Sequence, residues 1–253
     1  MPLCLSRVSR RDVVIGGLAA LGASLAGASS ACARAKPIAW PRRSKYEGVD
    51  FIELFPAQAD EAAPIVVVIH GMGDKPDNWI DTWRTFPAKA RVVLPRAFTK
   101  YGDGYSWFEL RDNMTDAELG AEVGAAEEKL WKGVAKLAGP RRVIVTGFSQ
   151  GGILSFAMAA RHADRIAYAF PISGSCPGPL LPKNKARAAP LIAFHGTSDS
   201  VLAFKWGQAA VDAFREQGND ATIRAYPGVT HTIAPAMLSD LWGEIQKQLP
   251  RAM

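Results

Sequence analysis

The hydrophobic pattern of the chain alternates between short apolar runs and longer amphipathic stretches. Residues 65–69 are continuously apolar and mostly β-branched, which is typical of a strand buried on both faces. The pattern predicts strands at 49–54, 64–70, 91–95, 141–146, 166–172, 190–195 and 221–226. It predicts helices at 77–87, 115–138, 150–162, 202–217 and 234–249. This alternation indicates an α/β fold with a mostly parallel central sheet flanked by helices.

The length of 253 residues is ordinary for one α/β domain. The sequence shows no repeat, low-complexity tract or second core, so we place a single domain at residues 49–253, without a large lid domain. Residues 36–48 contain two prolines and a glycine, and we expect them to form a linker into the first strand.

Residues 1–35 have the features of an export signal. Arg10 and Arg11 precede a weakly hydrophobic Gly/Ala/Leu stretch, and small residues with an A-x-A pattern close it at 31–35. The adjacent arginines are typical of a twin-arginine leader, which indicates a periplasmic or extracellular protein exported after folding. A retained leader, or a lipidated Cys32, would instead anchor the protein, and this is the membrane contact that the sequence suggests.

Charge and cysteine content exclude several classes of partner. The net charge is +6, of which +3 falls in residues 1–35, and no basic stripe with interleaved aromatics follows. Nucleic acid is therefore not expected as a partner.

Cys176 is the one cysteine clearly within the domain, so no intramolecular disulfide is expected. We expect neither a metal ion nor another cofactor, because no Cys/His cluster has ligand spacing.

The most informative motif lies at 147–151, where an apolar strand runs into Gly-Phe-Ser-Gln-Gly and then into a helical pattern. A strand–turn–helix of this kind exposes the hydroxyl of Ser149 in a strained turn, and Gly147 and Gly151 leave room where a Cβ would collide. A serine hydroxyl needs a neighbouring base to become a nucleophile, and histidine is the usual base in such sites. The alternative is a βα loop that contains a serine by chance.

Four histidines are candidates for the base. His162 falls near a helix end, whereas His70 and His195 each close an apolar strand, positions that favour capping or turn formation. His231 lies in a loop after the strand at 221–226, where the base of a serine hydrolase is expected to lie. We therefore predict His231 as the base.

Asp199 follows the strand at 190–195 and is our candidate for the acid that orients His231. The alternative role for Asp199 is an N-cap of the next helix, and Asp212 and Asp220 are weaker rivals. For the oxyanion we predict the backbone N–H groups of Gln150, which opens the helix after Ser149, and of Met72 in the glycine loop after the 64–70 strand.

Several segments together carry a family resemblance: His70–Asp74, Ser106–Glu109, Gly147–Gly152, His195–Val201 and Gly228–His231. The chain resembles the phospholipase/carboxylesterase family of α/β-hydrolases, which includes acyl-protein thioesterases, over about residues 50–250. The resemblance implies hydrolysis of esters or thioesters. It also implies Ser149, Asp199 and His231 as catalytic residues, with Met72 and Gln150 in the oxyanion hole.

Aromatic residues before the helix at 115–138 are the candidates for binding substrate. Tyr105, Trp107 and Phe108 precede the long helix at 115–138, and we predict that they bind a small ester, with Trp79 and Trp83 on the other wall. Packing of these aromatics in the core is the alternative. Without a large lid the site should be open, which favours short to medium acyl chains. Acyl transfer by the same residues, or a ligand-binding module without catalysis, are the competing functions.

Overall fold

The computed structural model describes residues 41–111 and 113–253. The predicted leader at 1–35 and residues 36–40 of the predicted linker lie outside the described residues. The strands are β1 Arg42–Tyr46, β2 Val49–Leu54, β3 Ile65–Ile69, β4 Arg91–Pro95, β5 Thr99–Tyr101, β6 Gly104–Ser106, β7 Val143–Phe148, β8 Ile166–Ile172, β9 Leu191–Gly196 and β10 Ala221–Tyr226. The helices are α1 Ile80–Trp83, α2 Asp116–Ala138, α3 Gln150–Arg161, α4 Phe204–Glu216 and α5 Pro235–Gln248.

Eight strands form one sheet in the order β1-β2-β4-β3-β7-β8-β9-β10. The β1–β2 and β2–β4 pairs are antiparallel, and the remaining pairs in this sheet are parallel. β5 and β6 form a separate antiparallel hairpin. The predicted α/β-hydrolase architecture, with a mostly parallel sheet, is confirmed. The predicted helix at 77–87 is shorter than expected, because a 3-10 turn at Pro76–Trp79 precedes the single turn of α1.

The core lies on both faces of the sheet. In β3, Ile65, Val67 and Ile69 pack on the face covered by α2, α3 and α4. Val66 and Val68 point to the opposite face, where side chains of α1 and α5 pack. Successive side chains of a strand alternate between faces, so a strand covered on both sides must be apolar at every position. This explains the uninterrupted run of β3.

Part of the predicted linker is in fact a strand. β1 pairs along its length with β2, and its residues alternate between half-buried and exposed. Glu47 and Gly48 join the two strands and both have positive φ, 49° and 79°, as a tight two-residue hairpin turn requires. The prediction at 36–48 was wrong for Arg42–Tyr46 because a polar edge strand has the composition of a linker.

α2 begins and ends at residues that are typical of helix caps. Thr115 accepts a hydrogen bond from the Glu118 N–H, and the Glu118 carboxylate accepts one from the Thr115 N–H, so both halves of a capping box are present. Gly139 ends the helix with a φ of 62°.

None of the helices in 41–111 and 113–253 is long and apolar enough to cross a bilayer.

A buried ion pair joins β2 to β4. The Glu53 side chain is fully buried, and one of its oxygens accepts hydrogen bonds from Arg91 Nε at 2.7 Å and Arg42 Nη2 at 2.6 Å. Burial alone would raise the pKa of Glu53. The hydrogen bond from Arg42 and the charge of Arg91 outweigh burial and hold that pKa below its ordinary value of 4.5.

We predict that Arg91→Met destabilises the protein by about 3 kcal/mol, because the Glu53 carboxylate stays buried after losing its most buried partner. A native pKa below the unfolded value stabilises the fold above pH 4.5, and this stabilisation is lost as the pH falls through the native pKa. Arg91→Met should therefore weaken the acid dependence of stability. Urea unfolding between pH 3 and 7 measures both effects.

Arg187→Met is the matched control, since Arg187 and its partner Asp164 have 76% and 87% exposed side chains. Exposed pairs contribute about 0–1 kcal/mol, so this variant should unfold close to the wild type. Equal stability of the two variants at pH 7 would contradict a structural role for the buried pair.

Candidate active site

Ser149 occupies the turn between β7 and α3, with a φ of 58° and a ψ of −116°. A positive φ is unfavourable for a residue with a side chain, and it persists only where the surroundings impose it. A Cβ on Gly151 would lie 2.0 Å from the Ile69 carbonyl oxygen, and one on Gly147 would lie 2.5 Å from the Gly151 oxygen. The glycines therefore let the turn pack against β3 while holding Ser149 in this conformation.

The structure brings His231 and Asp199 to Ser149 in one hydrogen-bonded series. His231 Nε2 lies 2.9 Å from Ser149 Oγ, and His231 Nδ1 lies 2.8 Å from Asp199 Oδ2. His231 comes from the loop after β10, and Asp199 follows β9. Since the Asp199 oxygen can only accept when ionised, it places the imidazole proton on Nδ1. Nε2 is then free to accept the proton of Ser149 Oγ.

Asp199 is held as a carboxylate by further hydrogen bonds. Its Oδ1 accepts from the N–H groups of Val201 and Leu202 at 3.0 and 2.9 Å. Burial would raise the pKa of Asp199, but the hydrogen bonds from His231 and from these two N–H groups lower it below its ordinary value. The alternative role as a helix cap does not apply, because the N-cap of α4 is Ala203.

The other three histidines make different contacts. His162 Nε2 lies 2.6 Å from the buried Glu127 carboxylate, and His70 Nδ1 lies 2.7 Å from the Gly71 carbonyl. His195 Nε2 lies 2.8 Å from the Leu202 carbonyl and 3.4 Å from Asp199 Oδ2. Burial lowers the pKa of His70 and of His195 and so favours their neutral forms. The sequence did not indicate that His195 would lie behind Asp199.

Met72 and Gln150 flank Ser149 along one cavity. Gln150 is the first residue of α3, where backbone N–H groups have no acceptor within the helix. Within 41–111 and 113–253, neither the Met72 nor the Gln150 N–H donates to another backbone group outside regular helices and strands. Both groups are therefore available to an oxyanion, and Gln150 adds the positive end of the helix dipole.

The cavity beside Ser149 has a volume of about 640 Å³ and is mostly apolar. Its walls come from the loops after β3, β8 and β9, from the loop before α2, from the starts of α2 and α3, and from α4. The apolar lining residues are Met72, Leu110, Met114, Leu119, Ile153, Pro177, Leu181, Val201, Leu202, Trp206, Ala209 and Ala210. Cys176 also lines the cavity, and burial raises the pKa of its thiol well above the ordinary value, so it stays protonated.

The three aromatic residues predicted to bind substrate do not line this cavity. Trp107 and Phe108 are only 2% and 5% exposed and pack in the core. Tyr105 lies instead in a separate cavity, where Arg96 and Lys100 stack on its ring. The prediction was wrong because the buried indole N–H of Trp107 finds its acceptor in the His70 carbonyl, at 2.8 Å, and turns away from the site.

Trp79 and Trp83, the predicted second wall, are also absent from the cavity lining. Trp83 is fully buried in the core, and Trp79 donates its indole N–H to Asp74 at 2.8 Å. The actual lining comes from separate stretches of chain that only the fold brings together. The amphipathic pattern of α4 gave no sign that Trp206 would face a cavity.

In the described ranges, no cluster of His, Cys, Asp or Glu side chains is arranged as a metal site.

Comparison with known proteins places this geometry in a family. The phospholipase/carboxylesterase family model matches residues 53–249. An acyl-protein thioesterase 1 of Cryptococcus neoformans is 26% identical over 225 residues, which span 75% of this chain and 93% of the relative. Carboxylesterase SOBER1 of Arabidopsis thaliana is 29% identical over 120 residues, covering 46% of this chain and 53% of the relative.

Solved structures support the same assignment. The crystal structure of esterase PE8 superposes with a TM-score of 0.66 at 25% identity, over 77% of this chain and 96% of that one. Acyl-protein thioesterase 2 of Zea mays shares the fold, with a TM-score of 0.64 at 21% identity over 79% and 98% of the two chains. Because the family match covers well over half of the sequence, the protein belongs to the phospholipase/carboxylesterase family of α/β-hydrolases and is a carboxylesterase-type serine hydrolase.

Proposed function

We propose that the protein hydrolyses carboxylic esters, and thioesters, of short to medium acyl chains through an acyl-enzyme on Ser149. The observation that carries this proposal is the series of contacts from Ser149 Oγ to His231 at 2.9 Å and from His231 to Asp199 at 2.8 Å. A nucleophile, a base within hydrogen-bond distance and a carboxylate that orients the base are what nucleophilic acyl transfer requires.

The first step forms the acyl-enzyme. Ser149 Oγ bonds to the substrate carbonyl carbon as its proton moves to His231 Nε2, and Asp199 stabilises the resulting imidazolium. The carbonyl oxygen becomes an oxyanion that accepts hydrogen bonds from the N–H groups of Met72 and Gln150. The tetrahedral intermediate then collapses, the bond to the leaving alcohol or thiol breaks, and His231 returns the proton to that leaving group.

The second step releases the acid. Water attacks the acyl carbon while His231 Nε2 takes one of its protons, and the same two N–H groups stabilise the new oxyanion. The bond to Ser149 Oγ breaks, His231 protonates that oxygen, and the carboxylic acid leaves. No cofactor enters this scheme.

We propose that the acyl chain lies in the cavity beside Ser149. Ser149, Met72 and Gln150 line it, whereas His231 does not. Because His231 must protonate the leaving group, the leaving group lies on the His231 side and the acyl chain occupies the apolar cavity. Apolar burial of this kind contributes about 0.8 kcal/mol per CH₂, so each carbon that fits should strengthen binding until the cavity is full.

We propose that the leader determines where the enzyme acts. A twin-arginine signal at residues 1–35 would deliver the folded enzyme to the periplasm or beyond. We propose this location, with membrane contact confined to a retained leader. No nucleic acid partner enters the proposal.

We predict that Ser149→Ala lowers kcat for p-nitrophenyl acetate by a factor of about 10⁴ or more, because no other group can form the acyl bond. The fold should be kept, since the change removes a single half-buried oxygen and leaves the backbone of the turn unchanged. A fluorophosphonate probe should label the wild type and fail to label the variant. Ser200→Ala, at an exposed serine close to the site, is the matched control and should retain both activity and labelling.

The same assay separates the competing functions. Wild-type turnover in the Ser149→Ala variant would rule out the assignment, and absence of both labelling and turnover in the wild type would favour a ligand-binding module. Product analysis with an added acceptor alcohol distinguishes hydrolysis from acyl transfer. We expect the free acid to be the main product.

We predict that Ala209→Trp shifts the preferred acyl chain to shorter lengths, since Ala209 lines the cavity and a larger side chain would fill it. A series of p-nitrophenyl esters from two to sixteen carbons, ranked by kcat/KM, measures the shift. The exposed Ala125 of α2 lies outside the cavity, and Ala125→Trp should leave the ranking unchanged. Wild-type activity that keeps rising beyond twelve carbons would overturn the short-to-medium preference.

A further inference from the structure

A network of hydrogen bonds behind the active site connects Met72 and Gln150, the two residues whose N–H groups we propose as oxyanion donors. It begins at His70, which directly follows β3 and is 1% exposed. His70 Nδ1 lies 2.7 Å from the Gly71 carbonyl oxygen, and His70 Nε2 accepts the Ala97 N–H at 3.2 Å. Because a carbonyl only accepts and an N–H only donates, these partners fix a neutral ring with its proton on Nδ1.

The contact with Gly71 controls the neighbouring N–H. The carbonyl of Gly71 and the N–H of Met72 belong to one planar peptide group, and in the trans form they point in opposite directions. Holding the carbonyl on His70 therefore fixes the direction of the Met72 N–H. This peptide lies directly against the nucleophile, since a Cβ on Gly71 would be 3.4 Å from the Ser149 Cβ.

Residues 105–108, which we call the brace, hold the rest of this loop. The Tyr105 carbonyl accepts the Gly73 N–H at 2.9 Å, and the Tyr105 N–H donates to the Asp74 carbonyl at 2.9 Å. The Trp107 indole donates to the His70 carbonyl at 2.8 Å, and its ring lies against the imidazole, with ring centroids 5.1 Å apart.

The brace also holds the side chain of Gln150. Gln150 Oε1 accepts the Trp107 N–H at 3.0 Å, and Gln150 Nε2 donates to the Phe108 carbonyl at 3.0 Å. Trp107 thus contacts both sides of the oxyanion site: the loop of Met72 through His70, and the start of α3 through Gln150. The aromatic segment that the sequence suggested as a substrate wall holds the catalytic backbone instead.

We propose that His70 is a positioning residue that presets the Met72 N–H for the oxyanion, with Trp107 coupling it to Gln150. The proposal rests on the proposed serine hydrolysis. Gly71 and Gly73 leave the loop backbone free to rotate, so an external anchor is needed to keep the carbonyl of Gly71 turned away from Ser149. Stabilisation of an oxyanion requires donors that are already oriented, and loss of one such donor lowers kcat by about 10²–10³.

Two substitutions distinguish the hydrogen bond of His70 to the Gly71 carbonyl from a role of His70 in packing alone. In His70→Asn the amide nitrogen is bonded to Cγ, as Nδ1 is, and can still donate to the Gly71 carbonyl. In His70→Gln the amide is one carbon further out, so it can accept the Ala97 N–H but cannot donate to the Gly71 carbonyl. We expect His70→Gln to lower kcat for p-nitrophenyl acetate by about 10²-fold with KM changed less than about threefold, and His70→Asn to stay within about tenfold of the wild type.

The Ki of an aryl trifluoromethyl ketone is a measurement that a change in packing alone would leave unaltered. Ser149 Oγ adds to its carbonyl and forms a stable tetrahedral oxyanion, so its Ki depends on the oxyanion donors. The Ki should rise for His70→Gln by about the factor by which kcat falls, and far less for His70→Asn. The control is Thr146→Val, which removes a buried hydrogen bond of 2.8 Å to the Phe170 carbonyl outside the network and should leave kcat and Ki unchanged.

The outcomes are distinct. Equal losses of kcat in His70→Asn and His70→Gln, a change in KM in place of kcat, or an unchanged Ki for His70→Gln would each overturn the positioning role of His70. Lack of ester hydrolysis by the wild type would overturn the proposed function, while the ranking of ketone Ki values would still decide whether His70 orients the oxyanion site.

Discussion

At the end of β7 the chain enters α3 through a serine with a positive φ, and close backbone packing holds it there. The glycines at 147 and 151 allow α3 to approach the end of β3 so closely that any Cβ would overlap a backbone oxygen. This contact fixes two features at once. It exposes Ser149 Oγ at the edge of the sheet, and it sets the first N–H of α3 beside that oxygen. The proposed nucleophile and one proposed oxyanion donor therefore share a single structural cause.

The remaining site residues depend on the order of the strands. β3 lies on one side of β7, and β8, β9 and β10 follow on the other. The loop after β3 thus brings Met72 to one flank of Ser149, while β9 and β10 supply Asp199 and His231 from the opposite flank. Parallel strands place all their carboxyl ends at the same edge, so residues far apart in sequence converge there.

Much of this could be predicted from the sequence, because each signal is local. The uninterrupted apolar run of β3, the Gly-Phe-Ser-Gln-Gly turn and the strand-end position of Asp199 are visible within a few residues. The structure places Ser149, Asp199 and His231 in hydrogen-bond contact, in the pairing that the sequence predicted. Their chemical roles are part of the proposed function.

What the sequence could not reveal depends on contacts between distant segments. The polar strand β1 forms only because β2 offers it an edge. Trp107 was expected to face substrate because it lies just before the long helix at 115–138, yet its indole N–H needs a buried acceptor and finds it at His70. The cavity lining comes from separate helices and loops, so no single stretch of sequence carries its pattern.

The central claim is that catalysis proceeds through an acyl group on Ser149. Its most direct test is acid quenching of a p-nitrophenyl butyrate reaction during the initial burst, followed by proteolysis and mass spectrometry. Acylation of Ser149 predicts one butyryl group, located on the peptide that contains Ser149 and removed on longer incubation. A butyryl group on another residue, or steady hydrolysis without any acylated protein, would contradict it.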